Sequence, residues 1–303
     1  MVSVIIPTYN ASAHLPALLN RLSQQTMAYE LIVIDSTSTD ETPAILRDHG
    51  IDFTSIPTAS FNHGATRNLG VQLANHENLV FLTQDALPAD ATALERLVET
   101  MASQDHIAMA YGRQLPYPSA DLLSQFARQT NYPATSVMKS LKDIPQMGIK
   151  TCHCSNSFAA YKKSALLSVG GFPTDTILGE DVSVAARLIL EGKTLAYCAE
   201  ATVFHSHNYT ITEEFKRYFD IGVFHRQQQT VLKPFTQAEA EGVKYVLAEW
   251  TYLSQQKRTS LIPVQLMRTV AKYIGYRAGQ WHQGLPVSVK RAMSMHRSFW
   301  QHQ

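Results

Sequence analysis

Four acidic side chains stand where apolar runs give way to turns: Asp35 closes ELIVID, Asp85 closes NLVFLTQD, and Glu180-Asp181 opens a helical pattern after a GGFP turn. A carboxylate directly after a buried strand can accept the N3 hydrogen of uracil or thymine. It can also hold a hard, oxygen-seeking cation such as Mg²⁺ or Mn²⁺ against two phosphates. A carboxylate at a helix start can take a hydroxyl proton as a general base. Each place has a plainer use. Asp35 lies in an Asp/Ser/Thr-rich loop and equally fits a turn; Glu180-Asp181 equally fits a helix cap with first-turn charge.

Gly64 to Asn68 opens a helix, where free backbone donors and the positive dipole end favour an anion. Arg67 adds a planar cation there, or else pairs with a local carboxylate to hold two loops together. Thr8 and Tyr9, after a proline-terminated strand, suit a flat base through backbone contacts and ring stacking, or form an ordinary turn. Two other signals carry less. Cys152-His153-Cys154 has the composition of metal ligands, but adjacent strand residues point to opposite faces and no second Cys/His pair completes four zinc ligands. Gly170-Gly171 lacks the Gly-Lys-Ser/Thr of a phosphate loop and reads as a turn.

The elements that must position these groups alternate between β-rich runs (VSVIIP, ELIVID, IDFTSI, NLVFLTQD) and helical patterns over 14–24, 42–48, 65–74 and 89–102. That alternation predicts a mostly parallel sheet with crossover helices. Ligands of such sheets sit beyond the carboxyl ends of the strands, where the loops carrying Thr8, Asp35 and Asp85 would gather. Further on, TCHCSNSFAAY and TLAYCAEATVFH read as strands. Segments 162–169, 212–229 and 238–254, and one beginning near Asp181, read as helices.

The chain has 303 residues, of which 45% are apolar and 17% charged, an ordinary globular composition that excludes a wholly disordered or collagen-like chain. No apolar run is long enough to span a bilayer and no secretory signal is expected. Three sparse cysteines argue against a disulfide framework and for a reducing compartment. The net charge of +1 hides a break near residue 250: residues 251–303 carry eight basic side chains and no acid, leaving 18 basic against 25 acidic elsewhere.

Taken in order, VSVIIPTYN, VIDSTSTDET, FLTQDA and GGFPTDTILGEDVSVAARLILEG resemble the motifs of the inverting glycosyltransferases of family 2. FNHGATRNLG, the TQDA form and RYFDIGVFH are similar to the bacterial rhamnosyltransferases of that family that use dTDP-L-rhamnose. The resemblance covers about residues 2–230. It implies an α/β protein of GT-A fold, with a mostly parallel central sheet flanked by helices over 1–230 and a helical, basic extension over 231–303.

The resemblance also implies roles. Asp35 would read the base beside Thr8 and Tyr9, with Arg67 near both the base and Asp35, and Gln84 and Asp85 would face the donor. Asp85 would hold the Mg²⁺ or Mn²⁺ ion, although the family's usual Asp-X-Asp is here Thr83-Gln84-Asp85. A second ligand would come from His205 or His207, with His205 preferred. Asp181 would be the general base, Glu180 would position the acceptor or the helix, Asn156 would meet the acceptor, and the GGF turn would lie beneath it. His63 marks the subgroup without an assigned chemistry.

The expected activity is transfer of L-rhamnose from dTDP-β-L-rhamnose to a hydroxyl of a glycan or lipid-linked saccharide in cell-surface polysaccharide synthesis. The alternatives are a UDP-sugar donor or a catalytically silent nucleotide-sugar-binding subunit. The basic tail is interleaved with Tyr273, Tyr276, Trp281, Phe299 and Trp300. It suits an anionic membrane surface at the inner face of the cell membrane, or a homodimer contact; no motif accompanies the charge to suggest nucleic acid. The expected location is the cytoplasm.

Overall fold

The computed structural model describes residues 1–235 and 238–301. Its first half follows the anticipated alternation: β1 (Val2–Thr8), α1 (Leu15–Ser23), β2 (Tyr29–Asp35), α2 (Thr42–Asp48), β3 (Phe53–Ser55), α3 (His63–Leu73) and β4 (Asn78–Leu82). β1 pairs in parallel with β2 and β4, and β2 with β3. Both faces of β1 and β4 are covered, so these strands read as unbroken apolar runs rather than alternating ones. A short β5 (Leu87–Pro88) follows, and α4 (Ala93–Ala102) therefore starts at Ala93 rather than Ala89.

The middle of the chain adds β6 (Ile107–Leu115), α5 (Leu122–Asn131), β7 (Val137–Lys139), α6 (Ile144–Met147), β8 (Phe158–Lys162), α7 (Lys163–Ser168), α8 (Glu180–Leu190) and β9 (Thr194–Phe204). Here one expectation needs correction: TCHCSNSFAAY is a strand only from Phe158, and Gly148–Cys152 is a 3₁₀ turn. The buried ammonium of Lys139 explains it. It donates to the carbonyls of Lys150 (3.0 Å) and His153 (2.8 Å) and to the Tyr111 hydroxyl (2.6 Å), so those carbonyls wrap a cation instead of joining a ladder.

The sheet runs β3-β2-β1-β4-β8-β6-β9-β5, with β7 also on β9. β8 is antiparallel to both β4 and β6, and β6 is parallel to β9, so β1, β2, β3, β4, β6 and β9 share one direction. Their carboxyl ends gather along one edge. One face of the sheet packs under α3 and α8, with Val71, Val184 and Leu188 in the core; the other packs under α1 and α4, with Leu18, Leu94 and Leu97.

The last third is helical: α9 (Ile211–Gln227), α10 (Gln229–Leu232), α11 (Ala238–Gln255), α12 (Ile262–Gln280) and α13 (Val287–Met293). α9 starts with a capping box in which Thr210 and Glu213 satisfy each other's backbone N–H groups. It meets α12 through glycines. A Cβ on Gly275 would lie 2.3 Å from the Phe215 carbonyl oxygen, and one on Gly279 would lie 2.0 Å from that of Phe219. Gly279→Ala is therefore expected to force the helices apart, at a cost of about 1–3 kcal/mol read from the urea midpoint. Asp220 ties down the chain end, its Oδ2 accepting from the Met295 N–H at 2.9 Å, and Trp300 is buried against Phe219. No helix among the described residues is long and apolar enough to cross a membrane.

Candidate active site

Strand ends deliver three potential metal ligands to one point. Asp85 follows β4, and His205 and His207 follow β9; Asp85 Oδ2 lies 3.4 Å from the Nε2 atom of each histidine. The two Nε2 atoms are 3.2 Å apart. Extended backbone sends alternate side chains the same way, so His205 and His207 converge while Ser206 turns aside to accept from the Tyr117 N–H at 3.0 Å. Adjacent positions on a six-coordinate ion with bonds of about 2.1 Å are about 3 Å apart, so this spacing fits one divalent cation. The sequence resemblance favours His205 of the two histidines. The structure brings both to Asp85.

Electrostatics agrees with that fit. Burial pushes the Asp85 carboxyl up, but protonated His205, through hydrogen bond and charge, and the charge of protonated His207 outweigh it and hold the group below the usual carboxylate range. Burial and neighbouring His205 hold His207 down to about 4, so its ring is neutral at pH 7 with a lone pair to offer.

Beside it, the ends of β1 and β2 meet. Asp35 Oδ1 accepts from Thr8 Oγ1 (3.0 Å) and Ser38 Oγ (2.6 Å), and Oδ2 accepts from the Ser38 N–H (2.8 Å). Thr8 and Asp35 are buried, whereas the Tyr9 ring is 45% exposed. Gln84 braces the two loops: the Tyr9 N–H donates to its Oε1 (2.8 Å) and its Nε2 donates to the Tyr9 carbonyl (3.1 Å). The turn reading of Asp35 and its place at the strand edge thus hold together, because the turn is what sets the carboxylate at the edge.

The acid pair occupies the first turn of α8. Asp181 Oδ2 accepts from the Asn156 N–H (3.0 Å), and Oδ1 accepts from the Val182 N–H (2.8 Å). Asn156 Nδ2 donates to Glu180 Oε1 (3.2 Å), and its Oδ1 accepts from the Tyr161 hydroxyl (2.7 Å). Burial, and next the charge of Glu180, raise the Asp181 carboxyl to about 6. Glu180 shifts the other way: burial raises it, but Arg67 and His63 overcome that and lower it. Two neighbouring carboxyls are thereby separated, one firmly ionised and one poised near working pH.

Arg67 departs from its expected surroundings. Its Nη1 is 3.2 Å from Glu180 Oε1, and both side chains are almost wholly buried. The anion expected at the start of α3 also meets competition, since Asn62 Oδ1 already accepts from the Gly64 and Ala65 N–H groups. FNHGATRNLG works here as a joint between α3 and the acid pair. Gly64 lets the helix start lie on the Pro173 carbonyl, where a Cβ would be 1.9 Å away, and Asn68 exchanges hydrogen bonds with the Phe172 backbone at 2.8 and 2.9 Å. His63 stands edge-on to His296 at 5.0 Å, so the chain end reaches the same network. Arg67→Met should leave Glu180 charged and unpaired, costing about 3–5 kcal/mol of unfolding free energy by urea titration.

Carboxylates and histidines at the ends of parallel strands, beside a separated pair of acids, are groups that a metal-assisted group transfer would use. A family model, "Glycosyl transferase family 2", matches residues 3–170. The O-antigen chain rhamnosyltransferase RfbN of Salmonella typhimurium is 45% identical over 302 residues, 99% of this chain and 96% of that one. WbaN of Salmonella anatum, also an O-antigen chain rhamnosyltransferase, is 42% identical over 98% of this chain and 95% of its own. Among solved structures, the mannosyltransferase PcManGT of Pyrobaculum calidifontis, in complex with GDP-Man and Mn²⁺, superposes with a TM-score of 0.60 at 18% identity, covering 90% of this chain and 86% of that one. Staphylococcus aureus TarS with UDP-GlcNAc gives 0.56 at 17% identity, covering 93% and 92%. The chain belongs to glycosyl transferase family 2; it is a glycosyltransferase, and its fold is GT-A.

Proposed function

We propose that this enzyme transfers L-rhamnose from dTDP-β-L-rhamnose to a hydroxyl of a lipid-linked saccharide during assembly of a cell-surface polysaccharide. The observation that carries the sugar is the 45% identity to RfbN over nearly the whole length of both chains. The thymine nucleotide rests on the resemblance of FNHGATRNLG and TQDA to the dTDP-L-rhamnose subgroup; the Thr8–Asp35 edge suits thymine and uracil alike.

In this reading Asp35 accepts the base N3 hydrogen and the exposed Tyr9 ring stacks on the base, with Gln84 holding that loop. Asp85, His205 and His207 would hold Mn²⁺ in preference to Mg²⁺, because two imidazoles suit the softer ion and Mg²⁺ favours oxygen. When bound, the ion supplies positive charge to the leaving diphosphate. The acceptor oxygen attacks the anomeric carbon as its proton passes to Asp181. The bond from that carbon to the diphosphate oxygen breaks with its electron pair on the leaving group, and the configuration inverts. Glu180, paired with Arg67 and Asn156, fixes the helix start that carries Asp181. Residues 1–230 hold all of these groups; residues 231–303 form an extension whose α12 buttresses α9.

A donor panel with Mn²⁺ and with Mg²⁺ tests the reading. dTDP-L-rhamnose should be turned over and, at 100 times its dissociation constant, should stabilise the fold by about 2.7 kcal/mol. Faster turnover of UDP-glucose, UDP-galactose or UDP-N-acetylglucosamine would overturn the donor assignment, and binding without turnover would indicate a silent subunit.

The proposed location is the anionic inner face of the cell membrane. Leu266, Met267, Val270, Tyr273 and Ile274 form an exposed stripe on α12, and Trp281 is 67% exposed. Leu266, Met267, Val270 and Ile274 of this stripe and the start of α9 line a groove of about 540 Å³. Not all eight tail cations are free to face lipid: Arg268 lies 3.5 Å from Asp121 and Lys272 lies 3.4 Å from Glu214. Lys257, Arg258, Arg291 and Arg297 are exposed, and each cation near an anionic surface contributes roughly 1 kcal/mol. Reversing these four to Glu should abolish low-salt sedimentation with anionic vesicles and leave unfolding unchanged. Sedimentation that is indifferent to the reversal, or a concentration-dependent dimer sealed through the α12 stripe, would remove the membrane assignment.

A further inference from the structure

Gln114, near the carboxyl end of β6, is 2% exposed, and its amide is engaged on three sides. Arg128 of α5 donates through Nη1 to Gln114 Oε1. His205 Nδ1 lies 2.9 Å from the same oxygen. Gln114 Nε2 donates to Ser155 Oγ at 3.0 Å. A guanidinium offers only donors, so the amide atom that meets Arg128 has to be the oxygen. An amide oxygen carries no hydrogen, which leaves one sense for the His205 contact: the ring donates. Nδ1 of His205 therefore bears the proton, and in the neutral ring Nε2 keeps its lone pair. That Nε2 is the atom 3.4 Å from Asp85 Oδ2.

We infer that Gln114, oriented by Arg128, is a positioning residue that fixes His205 in the tautomer whose Nε2 can bind a divalent cation. The inference rests on reading Asp85, His205 and His207 as the metal site. Its physical content is a choice between two tautomers. A neutral imidazole left to itself favours the proton on Nε2, and an N–H there would point at the place an ion must occupy. A ligand histidine is set by what its other nitrogen donates to. Here the acceptor is a side-chain amide whose own sense is set by a guanidinium, a chain running from α5 through β6 to the end of β9. The same amide holds Ser155, next to the Asn156 N–H that donates to Asp181 at 3.0 Å, so the metal ligand and the acid pair share a support.

The tautomer can be read directly. Long-range ¹⁵N–¹H correlation spectra of the intact metal-free chain, at about pH 8, should show His205 protonated at Nδ1 and bare at Nε2. A proton on Nε2 would overturn the inference in the unaltered protein. Gln114→Met keeps the length of the side chain and removes the oxygen. It should move His205 toward the Nε2–H form and weaken Mn²⁺ binding, followed by electron paramagnetic resonance of the free ion, about 10- to 100-fold. Gln114→Glu keeps an oxygen for both Arg128 and His205, and should retain the Nδ1–H tautomer and near-unaltered Mn²⁺ affinity. Unchanged Mn²⁺ affinity in Gln114→Met, or equal loss in both variants, would show that the amide merely fills space. If the unaltered protein binds no Mn²⁺, it is the metal-site reading that fails; the tautomer, measured without metal, tells that outcome apart from failure of the Gln114 assignment.

Discussion

Asp181→Asn is expected to fold, bind the donor and transfer sugar about 10²- to 10⁴-fold more slowly, the usual cost of losing a general base. The structure sharpens the comparison with a purely structural role. The cap position of α8 is Gly179, not Asp181, so the carboxylate is not needed to start the helix. Its two hydrogen bonds, to the Asn156 and Val182 N–H groups, would fall to one good acceptor in Asn, a loss of about 1 kcal/mol, which relief of the repulsion from Glu180 offsets in part. A small change in stability with a large change in rate is thus the signature of a base. The pH profile adds a second. Burial and Glu180 set the Asp181 carboxyl to about 6, and only its ionised form accepts a proton. The wild-type rate should therefore be level above that pH and fall tenfold per unit below it, and the Asn variant should lose this limb. Transfer by Asp181→Asn near the wild-type rate at saturating substrates would remove Asp181 from the mechanism.

Asp85→Asn should abolish the metal-dependent part of donor binding and of turnover. Asp85 is the one carboxylate among the three converging ligands, so its amide leaves two imidazoles and no anionic ligand to offset a divalent ion. Charge stabilisation by such an ion is worth several kcal/mol, and at 1.36 kcal/mol per factor of ten the rate should drop by about 10³. Mn²⁺ titration of the variant should show no tight site. Asp35→Ala should behave differently, weakening even free dTMP in the absence of metal, since its proposed partner is the base. A folded Asp85→Asn protein with the wild-type rate and metal response would make the metal assignment wrong; equal loss of dTMP affinity in both variants would mean that the two carboxylates do not divide the donor between base and diphosphate.

Much of this was legible in the chain because it is local. Apolar runs bounded by turns place β1 and β2 within a residue and β4 within three, and the helical pattern over Thr42–Asp48 matches its helix at both ends. A carboxylate at a parallel strand end has nowhere to go but the ligand edge, so Asp35 and Asp85 could be placed from one strand each. The order of the motifs carried the family.

What the sequence left open depends on segments that meet only when the sheet closes. Nothing near Arg67 says that its partner is Glu180, a choice made by the GGFP turn docking on Asn68. His205 and His207 are equivalent as strings; both serve because β9 lies where its last residues face Asp85 across the edge. Gln114 carries no motif at all, and its chemistry follows only from Arg128 and His205 arriving on the same oxygen. The chain alone determined the elements and the acids at their ends, because periodicity and chain reversal are properties of neighbours. The tertiary structure decided which acids are paired, which is poised near pH 6 and which histidines converge, because burial and charge depend on residues far apart in sequence.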